Sequence, residues 1–189
     1  MTVVVGIDSS LTISGCARVD LGVGADGQLE ALRWETWRAR SVDDGGTVLG
    51  MRRRIRVMLR EILALVPDFV DLSVIEGPAI GAKHAALADE RAGLRWLLVD
   101  QLLGRGPVVI VPPKTRAILA TGNGNADKAA VLAAIRETVP AAHVPDHNVA
   151  DGVALAMAGA YALGMPWGLT AKQISAHGKV PWPVETAAA

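Results

Sequence analysis

The sequence has little of what marks exported or membrane proteins. It contains one cysteine, Cys16, which excludes an intramolecular disulfide framework and favours a reducing compartment. No apolar stretch reaches about 18 uninterrupted residues, and no basic region precedes the short apolar run near the N-terminus. We therefore expect a cytoplasmic protein with neither an export signal nor a membrane span.

Neither sign of charge is in excess. Lysines plus arginines number 19, as do aspartates plus glutamates, so the formal net charge is zero. Any contact with nucleic acid must then come from local basic clusters. A chain of 189 residues is long enough for one sizeable core. We expect a compact domain over residues 1–163 and a C-terminal arm over 164–189 that is peripheral or partly disordered.

The spacing of apolar residues predicts an α/β fold. Alternating or continuous apolar runs indicate strands, and recurrence every three to four residues indicates amphipathic helices. Strands are predicted within the hairpin 3–17 and at 29–38, 69–75 and 107–111, and helices at 47–66, 83–103, 114–120, 126–138 and 148–163. Three strands of one meander pair antiparallel, and the last two return by helical crossovers and run parallel. We expect a mixed sheet flanked by helices.

Single acids stand at the ends of two predicted strands. Asp8 follows a run of β-branched residues, and Glu76 ends the apolar run 69–75. Gly6 has no side chain and allows a close approach to the backbone beside Asp8. Asp8 alone could cap the following turn, whereas a charge that ends a buried strand is costly without a partner. The ends of the first and fourth strands can be neighbours, so we expect both acids in one cleft.

The last predicted helix adds further candidate ligands. Asn148 is its expected N-cap, Asp151 lies in its first turn, and Asp146 and His147 precede it. Asp151 by itself is explained by the helix dipole. Carboxylates that cluster repel one another unless cations neutralise them, so the whole group predicts Mg²⁺ or Mn²⁺. Two such ions can bracket a phosphodiester, which makes its hydrolysis the expected chemistry.

Basic residues flank a glycine-rich turn. Lys114, Arg116 and Lys128 surround residues 121–125, where backbone N–H groups and cations can converge on a phosphate. An ordinary surface loop is the alternative. Further positive charge lies beside the strand that ends at Glu76, on Lys83, His84, Arg91 and Arg95. We predict nucleic-acid contacts at Lys83, Lys114, Arg116 and Lys128.

Four ordered blocks resemble the successive signatures of RuvC-type Holliday junction resolvases. They are Gly6-Ile7-Asp8 with the following Ser-Leu-Thr and Gly15, Val74-Ile75-Glu76, residues 122–128 and residues 150–156. The resemblance implies a ribonuclease H-like fold, a homodimer, divalent metal at four acidic or histidine positions, and paired incision of branched DNA. It implies that Asp8, Glu76 and Asp151 are metal ligands and that Lys128 acts near the scissile phosphate.

The sequence departs from the family at two of these positions. The family places its remaining ligand three residues before the last aspartate, where this chain has Asn148. Asp146 is the first candidate to replace it and His147 the second, since neutral imidazole also binds metals. The family's second basic position is displaced, which leaves Lys114 or Arg116 as candidates.

A third departure concerns the DNA substrate. Ala79 stands where the family often has an aromatic residue that wedges against bases, and Ile80 follows it. Such divergence is similar to the phage-borne branch of the family, whose members are less selective among flaps, forks and four-way junctions. We therefore expect a bacterial or phage-infected host cytoplasm and a substrate range that includes flaps and forks.

Two other functions stay open. An actin-like or sugar-kinase ATPase can also begin with a strand and Gly-Ile-Asp, but it needs two lobes and this length allows about one domain. A catalytically silent DNA-binding protein on the same scaffold is favoured by Asn148.

The predicted helix 83–103 has more apolar residues than one core-facing stripe needs. The additional residues are Trp96, Leu97 and Leu103, and they are candidates for the interface of the dimer.

Overall fold

The computed structural model describes residues 1–42, 45–78 and 87–183 of the chain. Its strands are β1 (Thr2–Asp8), β2 (Ile13–Val23), β3 (Leu29–Arg40), β4 (Leu72–Glu76) and β5 (Val108–Val111). Its helices are α1 (Val48–Leu63), α2 (Ala88–Leu103), α3 (Pro113–Thr121), α4 (Lys128–Thr138), α5 (His147–Ala162) and α6 (Ala171–His177), with a 3₁₀ turn at Pro140–Ala142.

The strands of the described residues form one five-stranded sheet in the order β3-β2-β1-β4-β5. β1 pairs antiparallel with β2, and β2 pairs antiparallel with β3. β4 runs parallel to both β1 and β5. The predicted mixed sheet of three antiparallel strands followed by two parallel ones is therefore confirmed.

Helix α5 covers one face of the sheet. Every residue from Val149 to Ala160 is buried, as expected for a helix that is apolar on all sides. Glycines allow its close approach, because a Cβ at Gly6 would overlap the carbonyl oxygen of Gly152 and the amide of Ala156, and one at Gly15 would overlap the backbone of Asn148. The close approach predicted beside Asp8 is thus made by α5.

The opposite face of the sheet packs against α1 and α2. The alternation along β1 sends Val5 and Ile7 to this side and Val4 to the α5 side. Met58 of α1 and Leu98 of α2 are fully buried against the sheet. The central strands β1 and β4 are therefore buried on both faces, whereas most of β3 is exposed or half-buried.

Several predicted boundaries are wrong, and the helix predicted over 47–66 ends at Leu63. The last helix does not begin with Asn148 as its N-cap, because the carboxylate of Asp146 accepts hydrogen bonds from the amides of Asn148 and Val149 and takes that position. Asp151 consequently lies in the second turn. The strand predicted from residue 69 begins at Leu72, because Phe69 lies on the surface with 86% of its area exposed.

Residues 164–183 return to the body of the fold. Trp167 and Trp182 pack against the core on the α5 side of the sheet. His177 is buried, and its Nε2 lies 3.1 Å from the carbonyl oxygen of Ala158, which accepts from the ring. The division of the chain at residue 163 stays a prediction.

Candidate metal centre

Three carboxylates meet at the end of the sheet. Asp8 ends β1 and Glu76 ends β4, and the parallel register that pairs Ile7 with Ile75 brings both acids to one edge. Asp151 reaches the same point from α5. One oxygen of each carboxylate lies within 4.8 Å of the others. The convergence of Asp8, Glu76 and Asp151 expected from the sequence is therefore present.

Burial and mutual repulsion favour protons on this cluster. Burial raises the pKa of Asp8 well above its usual range, with further contributions from a hydrogen bond with Glu76 and from the charges of Glu76 and Asp151. Burial also raises the pKa of Asp151 to about 7, although Arg116 opposes this shift. The three carboxylates thus lack enough positive charge around them to be ionised together at low cost.

Arg116 is the cation inside the cluster. Its Nη2 donates to Glu76 Oε1 at 2.9 Å, and its Nη1 lies 2.5 Å from Asp151 Oδ1. The second contact lacks the alignment of a hydrogen bond, so Asp151 Oδ1 is buried without a hydrogen-bond partner in the described part of the chain. The guanidinium side chain is only 11% exposed.

The donor set fits a hard divalent cation. Carboxylate oxygens on rigid strand and helix positions are the ligands that Mg²⁺ and Mn²⁺ prefer. Asp151 Oδ1 is buried and accepts no hydrogen bond, and the pKa values of Asp8 and Asp151 are raised, as expected for a site short of positive charge. These side chains are therefore suited to hold such an ion.

The cluster lies on the wall of an open cavity of about 670 Å³. Cationic side chains around it are Arg91, Arg95, Arg116 and Lys128. Asn148 also lines it, at the position where the resemblance places a fourth ligand. The acidic cluster can bind a metal ion, and the basic side chains around it can bind a phosphate beside that ion.

Asp146 and His147 lie outside the group of three. One oxygen of Asp146 caps α5, and the other accepts from Arg38 Nη1 at 2.9 Å. Burial works against ionisation, but the hydrogen bonds from Val149 and Arg38 lower the pKa of Asp146. Sequence patterns missed this use of Asp146 because Arg38 is 108 residues away in the chain. The role of Asp146 or His147 as the fourth ligand stays a prediction.

The predicted basic residues separate into two groups. Arg116 and Lys128 reach the cavity, whereas Lys114 is exposed and its stem packs beside Gly124. Lys83, His84, Ala79 and Ile80 lie outside the described residues. The roles of Lys83, Lys114, Arg116 and Lys128 in nucleic-acid binding stay predictions.

A mixed sheet in this order, flanked by helices and with acids at the ends of two adjacent parallel strands, defines a ribonuclease H-like fold. The chain is similar to the structure of Thermus thermophilus RuvC, with 19% sequence identity, a TM-score of 0.57, and coverage of 86% of this chain and 95% of that chain. It is also similar to T. thermophilus RuvC in complex with Holliday junction substrate, with 20% identity, a TM-score of 0.53, and coverage of 85% and 94%. No family model and no curated protein matches the sequence.

At these identities the likeness establishes the fold. The resemblance to RuvC inferred from the four sequence blocks is confirmed at that level. The phage-type detail stays a prediction.

Proposed function

We propose that this protein is a divalent-metal-dependent endonuclease that hydrolyses phosphodiesters in branched DNA. The observation that carries the proposal is the convergence of Asp8, Glu76 and Asp151 in one cationic cavity of a RuvC-like fold. One of the similar structures is a complex with a Holliday junction, which indicates the class of substrate to test first.

Each side chain of the cavity has a task in this proposal. Asp8, Glu76 and Asp151 hold the ion, which when bound activates water and stabilises charge on the phosphate. Lys128, exposed at the start of α4, attracts and orients the phosphate. Arg91 and Arg95 of α2 extend the positive rim along the cavity, so that the DNA backbone is bound by shape and charge.

We also propose activity on flaps and forks as well as four-way junctions. The sequence further predicts two ions and a fourth ligand from Asp146 or His147, and the contacts of Arg116 and Asp146 argue against both an added ion and an Asp146 ligand. The sequence also predicts that Lys114 contributes to DNA binding. The number of ions depends on Arg116, which lies among the acids.

The decisive test is Mg²⁺-dependent cleavage by the wild type and by Asp8→Asn. Synthetic four-way, flap, fork and linear duplexes of equal length serve as substrates. We expect nicking of branched DNA by the wild type, and a loss of about 10³-fold or more in Asp8→Asn because a carboxylate of the metal-binding group is gone. Asp68→Asn, which changes an exposed acid before β4, is the matched control and should cleave normally.

A second candidate function is branched-DNA binding without cleavage. It is favoured by Asn148 at the fourth position and by the contacts that occupy both oxygens of Asp146. Tight, salt-sensitive binding to junctions with no Mg²⁺-dependent nicking would select it. ATP turnover would instead select the actin-like alternative.

We also propose a cytoplasmic homodimer. Trp96, Leu97 and Leu103 of α2 are 60%, 48% and 59% exposed, which is the kind of apolar surface that a partner covers. Two cavities related by a two-fold axis would suit a two-fold junction. Sedimentation equilibrium measures the oligomeric state directly. In the part of the chain that the structure describes, no helix is long and apolar enough to cross a bilayer.

A further inference from the structure

We propose that Arg116 is a fixed cationic member of the acidic centre, so that the centre binds one divalent ion and not two. This inference rests on the proposed metal dependence and concerns the number of ions. It follows from the position of the guanidinium, its contacts and the count of charges around it.

The position of Arg116 is set by the fold. β5 ends at Val111, which pairs with Glu76 of β4, so the chain leaves the sheet beside the acids. Pro113 opens α3 immediately after β5, and the amide of Arg116 donates to the carbonyl oxygen of Pro112 in the first turn. The side chain is thereby directed from a rigid helix start onto the acids.

The contacts of Arg116 are with two of the three acids. Nη2 and Nη1 lie 2.9 Å and 2.5 Å from oxygens of Glu76 and Asp151, whose side chains are 10% and 3% exposed. The described residues offer the Arg116 side chain no other partner, and its Nε is buried without one. A guanidinium can bridge two carboxylates in this way because its donors diverge in one plane.

Asp8 is the carboxylate that Arg116 leaves unpaired. Arg116 donates to Glu76 and contacts Asp151, but it forms no ion pair with Asp8. The negative charge that Arg116 does not balance is therefore centred on Asp8 and the carboxylate oxygens next to it.

The count of charges then favours a single ion. Three ionised carboxylates carry three negative charges, of which Arg116 balances one, and one divalent ion balances the other two. A second ion would need further anionic ligands, yet the fourth position holds Asn148 and the Asp146 carboxylate is engaged by Arg38 and the α5 amides. Without them, a second divalent ion would add an excess of positive charge beside a buried guanidinium, which is unfavourable.

The test is the stoichiometry of Mn²⁺ binding to the full-length protein without DNA, measured by isothermal titration calorimetry and equilibrium dialysis. Arg116→Met removes the charge with a side chain of similar reach, Arg116→Lys keeps the charge, and Arg95→Met removes a charge from the same cavity that does not contact the acids. We expect one Mn²⁺ per chain in the wild type, in Arg116→Lys and in Arg95→Met. In Arg116→Met we expect a second Mn²⁺, or a first one bound roughly tenfold or more tightly.

A thermal measurement guards against a variant that is poorly folded without metal. Removing Mn²⁺ with EDTA should lower the melting temperature of Arg116→Met by more than that of the wild type, because only the wild type keeps a cation among the acids. Two ions on the wild type, or an unchanged count and affinity in Arg116→Met, would overturn the inference and leave the proposed function standing. A wild type that binds no Mn²⁺ would overturn the proposed metal dependence as well.

Discussion

Two side chains of the centre have raised pKa values, so a metal ion has to compete with protons for them. Burial raises the pKa of Asp8 well above its usual range and that of Asp151 to about 7. Because carboxylates bind metal only when ionised, binding has to release these protons. We expect Mn²⁺ affinity to increase markedly between pH 6 and pH 8, with proton uptake by the buffer in calorimetry. An affinity that is independent of pH over this range would contradict the raised pKa values.

The raised pKa of Asp151 makes the metal-free protein less stable as the pH rises. In the folded state Asp151 holds its proton up to about pH 7, whereas in the unfolded chain an aspartate loses it near pH 4. The stability that this proton contributes is therefore fully present below about pH 4 and is lost as the pH rises through 7. Urea unfolding in EDTA at pH 5 and pH 8 measures this loss, and Asp151→Asn should reduce it.

At the scale of elements, the contact between β1 and α5 places Asp151 beside Asp8. A side chain at Gly6 would overlap the backbone of Gly152 and Ala156, so α5 would have to move. We expect Gly6→Ala to lower the free energy of unfolding by about 3 kcal/mol and to weaken Mn²⁺ binding. Gly93→Ala is the matched control, because a Cβ there meets nothing within 4 Å. Since alanine favours the helix more than glycine does, this change in α2 should raise the free energy of unfolding by about 1 kcal/mol.

The start of α5 decides what Asp146 does. Its two oxygens accept from Asn148, Val149 and Arg38, so its contacts favour a helix cap over a metal ligand. We expect Asp146→Ala to cost about 1 kcal/mol of stability and Asp146→Ser, which retains a capping oxygen, to cost less. Mn²⁺ titrations of both variants should match the wild type. Loss of affinity in Asp146→Ser would instead support the ligand role that the sequence predicts.

These elements also separate what the sequence could predict from what it could not. Asp8 and Glu76 were predicted at strand ends because each follows an apolar run, and the pairing of parallel neighbours then determines where they meet. The contacts of Arg116 with Glu76 and Asp151 depend on the direction in which α3 leaves β5. The ion pair between Asp146 and Arg38 joins residues that are far apart in the sequence. Local spacing contains no information on such long-range contacts. The proline pair 112–113 after a strand next to the Glu76 strand was the available signal for Arg116.

At the scale of the whole molecule, the segment after α5 closes the core on the α5 side of the sheet. The ring of His177 stacks on Trp182 with centroids 4.5 Å apart and meets Tyr161 edge to face. Trp182 Nε1 donates to the carbonyl oxygen of His177 at 3.0 Å. Burial lowers the pKa of His177, and the hydrogen bond to the carbonyl oxygen of Ala158 opposes this shift.

Deleting residues 164–189 should therefore destabilise the remaining chain. Without this segment, the surface that is covered by Trp167, His177 and Trp182 would be exposed, including the carbonyl group of Ala158. We expect the melting temperature to fall by about 5 °C or more, since a loss of 1 kcal/mol alone shifts a domain of this size by about 2–4 °C. Lys172→Ala, which changes an exposed residue of α6, should leave it unchanged. A truncated chain that melts like the full-length protein would show that residues 1–163 are a self-sufficient domain.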